Sequence, residues 1–77
     1  MNKSDLLTNE IEEALKTDER TRDARIDVIN EEGVITLFGQ VESSQVAEAA
    51  EEIARQQQGV LLVTAWLFLS GNMPRRN

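Results

Sequence analysis

The chain is predicted to be an α+β protein, a single αββαβ domain with a three-stranded mixed sheet and two helices on one face. Three observations lead there. Two segments repeat their apolar residues at helical spacing. Three others are short, apolar and alternating or nearly continuous. A glycine turn lies between the first two strands, whereas a helix separates the second from the third. One domain is expected over residues 1–77, with its core at about 4–69 and a tail at 70–77.

Taken in order, Ser4 can cap a helix and Asp5 suits the positive end of its dipole. Leu7, Ile11, Ala14 and Leu15 then fall on one stripe, with Glu10, Glu12 and Glu13 outside. The spacing predicts a helix over 4–16. The polar run from Thr17 to Ala24 has no periodicity and reads as a solvated connector. Arg25 to Asn30 alternates around Ile26, Val28 and Ile29. Glu31, Glu32 and Gly33 make a short turn, and residues 34–41 complete a hairpin. Gly39 inside that strand implies a close approach, expected here from a helix packed across the sheet.

Ser43 or Ser44 caps the second helix, whose inner stripe is Val46, Ala47, Ala50, Ile53 and Ala54. Gly59 is expected to close it with a left-handed cap. Val60 to Leu69 is nearly continuous in apolar residues, so burial on both faces is expected of it. Hairpin, helix and strand together imply a crossover that leaves strands two and three parallel.

The pleat then divides the strands into two sets. Ile26, Val28, Ile35, Leu37, Gly39, Val41, Val63, Ala65, Leu67 and Leu69 should face the helices. Ile29, Val34, Thr36, Phe38, Leu62, Thr64, Trp66 and Phe68 should face away, and all three aromatic residues of the chain are among them. Covering three half-shielded aromatic side chains removes roughly 200–400 Å² from water, on the order of 5–10 kcal/mol as an upper bound. A patch of that kind marks an interface. Three covers fit it: the chain's own tail with Met73 and Pro74, a second copy of the chain, or a partner protein, lipid or other apolar ligand. Eight mostly polar tail residues offer little apolar surface, which favours the other two. Ile29, Val34, Phe38, Leu62, Trp66 and Phe68 are therefore the interface or ligand candidates, and a dimer or higher oligomer through the sheet face is expected.

Composition narrows the chemistry. The formal net charge is −6, and all fourteen acidic residues lie between Asp5 and Glu52. Such a field repels nucleic acid and anionic surfaces, so no nucleic-acid partner is expected. Arg75 and Arg76 in the tail are the candidate contacts for lipid phosphates. Cysteine and histidine are both absent. That removes thiolate and imidazole metal ligands and the usual acid–base group at neutral pH. The glutamates fall on solvent faces, and no nucleotide-binding or nucleophile motif occurs. No catalytic residue, metal or cofactor is expected. The element order is shared with RNA-binding KH folds, but their GxxG clamp is missing. There is no signal-peptide-like run, and the expectation from the sequence as given is cytoplasmic. A leader removed beforehand would shift it to the periplasm or envelope.

The run Ile35-Thr36-Leu37-Phe38-Gly39-Gln40-Val41, the helix alanines Ala47, Ala50 and Ala54, the Gly59-Val60 junction, and Leu67 and Leu69 resemble the BON domain (bacterial OsmY and nodulation) pattern over about residues 5–69. The resemblance implies an αββαβ fold, no catalysis, and association with phospholipid, envelope or transport-related systems. Members usually carry a leader and often two domains. Phe38 and Trp66 stand where the family usually has small or polar residues. The function expected is thus a non-catalytic binding module working through its aromatic sheet face, with phospholipid or membrane-surface binding as the alternative.

Overall fold

The computed structural model describes residues 3–69. Their element order is α1 (Lys3–Thr17), β1 (Arg25–Glu31), β2 (Val34–Val41), α2 (Ser44–Arg55) and β3 (Leu62–Leu69). The sheet runs β1-β2-β3, with β1 antiparallel and β3 parallel to the central β2. This is the αββαβ domain with a mixed sheet that the sequence predicts.

The hairpin closes through Glu32 and Gly33, because Glu31 is the residue opposite Val34. Both loop residues have positive φ, 56° and 92°. A two-residue turn of this hand matches the right-handed twist of the strands it joins. The Asn30 carboxamide oxygen accepts from the Gly33 N–H at 2.8 Å and fixes the turn from inside. At α2, Ser43 rather than Ser44 is the cap: its hydroxyl accepts from the Val46 N–H.

The core is one-sided. Ile11 and Leu15 of α1 meet Val28, Ile35 and Leu37 of the sheet and Ala50, Ile53 and Ala54 of α2. Leu7, Ala14, Ile26, Val60, Val63 and Leu67 pack around that cluster. Helices bring small and aliphatic side chains to one face, as the stripes on α1 and α2 require. Ala49, which the predicted stripe omits, is buried on α2 as well.

Several expectations are corrected. Gly39 does not make room for a helix. A Cβ placed there would lie 1.9 Å from the Arg25 carbonyl oxygen, so the close visitor is the backbone of β1. Gly59 does not cap α2, which ends at Arg55 with Gln56 in right-handed conformation. Gly59 takes its positive φ further on, in the turn leading to β3. There the Leu61 N–H donates to the Gly33 carbonyl at 2.8 Å, tying the start of β3 to the hairpin. β3 is not buried on both faces. It is an edge strand, and half of it is open to solvent. Leu69, expected beneath the helices, is exposed at the strand's end.

The connector is less passive than its composition suggests. Thr21 is 2 % exposed. Its hydroxyl donates to the Leu15 carbonyl near the end of α1. Helix ends leave carbonyls without intrahelical partners, and this threonine satisfies one of them. The Ser4 and Asp5 side chains and the tail at 70–77 lie outside the described residues. The helix itself begins at Lys3, so Ser4 sits in its first turn and not at its cap.

Candidate functional site

The open face of the sheet is a grid of four rows set by the strand register. From the hairpin end they are Glu31–Val34–Leu62, Ile29–Thr36–Thr64, Asp27–Phe38–Trp66 and Arg25–Gln40–Phe68. Side chains on one face of paired strands stand within contact distance of their neighbours across and on the diagonal. Phe38 and Phe68 use a diagonal: their ring centroids are 6.0 Å apart and their planes 88° from parallel. That edge-to-face contact fixes two of the three aromatic side chains relative to each other.

All six candidate interface residues occur on this face and all are exposed. Phe38, Trp66 and Phe68 are 50 %, 56 % and 54 % exposed despite being the largest apolar side chains present. They form an aromatic patch on β2 and β3. Val34 and Leu62 make a smaller aliphatic patch near the hairpin, and Thr36 and Thr64 separate the two. Ile29 stands on β1 beside those threonines. Arg75 and Arg76 lie outside the described residues.

The face is graded in polarity. β1 contributes Arg25, Asp27 and Glu31, while β3 contributes no charge between Leu62 and Leu69. Leu61, absent from the predicted set, is the most exposed large apolar residue described, at 78 %. From the sequence this strand is expected to start at Val60, whereas β3 begins at Leu62 and leaves Leu61 in the approach to it.

Hollows occur at the border of this face and away from it. One of about 280 Å³ is bordered by Glu19, Arg20, Asp23, Arg25, Gln40 and Val46. Its lining mixes both charges. Another, about 350 Å³, sits by the hairpin turn between Leu6, Leu7, Glu10, Asn30, Glu32 and Gly59. Among the described residues, no group of three or more acidic side chains is placed to hold a metal ion. Nor is any described helix long and apolar enough to cross a membrane.

The electrostatics are those of a surface. Arg20 donates from Nε and Nη2 to the two Asp18 oxygens, each at 3.0 Å, and its backbone N–H donates to the same carboxylate at 2.9 Å. Its Nη1 lies 3.6 Å from Glu52 on α2. These hydrogen bonds from Arg20, side chain first and then backbone, hold the Asp18 carboxyl below its usual range. The pair ties connector to helix and is remote in sequence and face from the aromatic patch.

A family model described as BON domain matches residues 3–67. No curated protein matches the chain.

Proposed function

The chain belongs to the BON domain family, and on that premise we propose that it is a non-catalytic binding module whose open aromatic sheet face engages a second copy of itself or a partner protein. One observation carries this reading. Three aromatic side chains stay half exposed on the face opposite both helices, in a chain whose core is otherwise well covered. Folding gains little from leaving them there. Exposed apolar area of this kind is a cost in solution unless something covers it.

Light scattering across a dilution series, with the emission maximum of Trp66 recorded alongside, tests the reading. Self-association at high-micromolar concentration, weakened by Phe38→Ser and by Trp66→Ser with unchanged circular dichroism, is the expected result. A strict monomer that also fails to bind a neutral apolar dye more tightly than Phe38→Ser does would count against the face as a binding surface.

A second reading is lipid binding. Trp66 and Phe68 lie side by side along β3, at the outermost strand of the sheet, where an indole and a phenyl ring reach a bilayer interface first. Arg75 and Arg76 would then meet phosphates. Asp27 and Glu31 on the same face oppose an anionic surface. Neutral and anionic vesicles separate the readings: a blue shift of Trp66 emission on anionic vesicles, reversed by salt, supports lipid. No shift on either at low salt removes it.

A further inference from the structure

The two edges of the sheet are unlike. β1 carries Arg25, Asp27 and Glu31 among its seven residues. Charges on an edge strand discourage another strand from pairing there. β3 reads LVTAWLFL, eight residues without a charge, proline or glycine. Among the described residues it pairs with β2 alone, so its far side presents a row of backbone donors and acceptors.

We infer that the β3 edge pairs antiparallel with the β3 edge of a second copy of this chain, about a two-fold axis through Ala65, giving one continuous six-stranded sheet. This rests on the binding-module reading for its partner, a second copy, but moves the contact from the open face to the strand edge, where Phe38→Ser on the central strand should leave self-association unchanged.

The register follows from parity. Directly opposed residues of an antiparallel pair share a face. Leu62, Thr64, Trp66 and Phe68 occupy the open face, so only even-numbered residues can oppose them if each helix layer stays on one side. The axis must therefore pass through a residue and not between two. Placed at Ala65, it pairs residues 62–68 of the two strands and sets Leu69 opposite Leu61, the residue just before β3. Thr64 then meets Trp66, Val63 meets Leu67, Leu62 meets Phe68, and Leu61 meets Leu69. The last pair covers two leucines that the single chain leaves exposed. An axis at Thr64 pairs fewer strand residues, and one at Trp66 pairs as many, residues 63–69, but either loses the match between Leu61 and Leu69.

Charge does not forbid the pairing. It sets the two β1 strands at opposite ends of the sheet, about 24 Å apart over five strand spacings. That exceeds two Debye lengths at physiological salt. On α2, which packs over β2 and β3, Glu51 is already matched by Arg55 at 3.6 Å. A contact one strand wide buries less than the roughly 800 Å² per copy of a standard interface. A reversible dimer of modest affinity is the result.

The chain has no cysteine, so a single introduced thiol reports alone. Opposed residues of an antiparallel pair have Cα atoms about 4.5–5.5 Å apart, within disulfide reach. Ala65→Cys in the otherwise unaltered chain, under mild oxidation at high-micromolar concentration, should form a disulfide dimer. Thr36→Cys, at the middle of the open face, should not. Failure of Ala65→Cys to cross-link overturns the inference. Cross-linking of Thr36→Cys instead would also overturn it while leaving the open face as the binding surface, with two sheets stacked. Amide exchange on the unaltered chain gives a second measurement. Alternate β3 amides should slow about tenfold or more between dilute and concentrated samples. Concentration-independent exchange along β3 overturns the inference even if the thiol variant misfolds.

Discussion

Leu37 and Phe38 are neighbours on the central strand, yet one is wholly buried and the other half exposed. Leu37 sits in the row with Val28 and Ala65, under both helices; Phe38 sits in the row with Asp27 and Trp66, facing outward. Both are large and apolar. The difference between them lies in what the rest of the chain supplies: two helices, both spent on one side of the sheet. Stability and recognition are thus assigned to opposite faces of the same eight residues of β2. The helix side explains why the chain folds. The open side adds little to folding and is free to bind.

Substitutions can break or sharpen this division. The largest effect should come from Leu37→Ala, which opens a cavity among Ile35, Val28 and α2 and costs about 2–5 kcal/mol. A small domain has little more than that in reserve. Urea titration followed by circular dichroism should find the variant largely unfolded or close to it. Were it to lose under about 1 kcal/mol, the helix side would not be the seat of stability.

Next is Thr21→Val, which keeps the shape but removes the hydroxyl that satisfies the Leu15 carbonyl. The expected loss is about 1–3 kcal/mol by the same titration, with no change in self-association. A neutral result would mean that water reaches that carbonyl.

Phe38→Ser inverts the pattern. It loses an edge-to-face contact worth about 1 kcal/mol and little else in stability, since half of the ring is already in water. Its effect should appear in dye binding, and in self-association where the open face and not the β3 edge carries the contact. If Phe38→Ser destabilised the fold as much as Leu37→Ala, the two faces would not be separable.

The smallest effect concerns an exposed ion pair on the helix side, where exposure and not location should decide. The Asp18 carboxyl is lowered by the Arg20 hydrogen bonds in the folded chain. It therefore adds stability at pH values above its unfolded range, and loses it as pH falls through the folded value. Melting temperatures of the unaltered chain and Asp18→Asn should differ slightly at neutral pH and converge in acid. A difference that persists unchanged in acid would assign the effect to something other than this charge. Salt should shrink it too.

Much of this was legible in the sequence because alternation is a strong signal. Val28, Ile35 and Leu37 on one parity and Phe38, Trp66 and Phe68 on the other needed only the pleat and a count of helices. What was hidden depended on neighbours distant in sequence. Thr21 sits in a polar run, and nothing local says that a helix carbonyl six residues earlier waits for it. Gly59 looked like a helix cap because glycine after an alanine-rich stripe usually is one; α2 stopped at Arg55. The apolar run of β3 suggested cover on both faces. Its place at the sheet's edge follows from β2 taking the centre, which is a property of the assembled order and not of the run itself.

Gly39 has a last consequence. Opposite Ile26, it is the residue that tolerates the Arg25 carbonyl, where any side chain would collide. Slide the hairpin by one position and a larger residue arrives at that spot, while Phe38 and Gln40 are turned inward. The missing methyl group thus serves as a gauge for alignment: a chain that zips up one notch wrong jams at once, and the greasy side of the molecule never gets hidden by mistake.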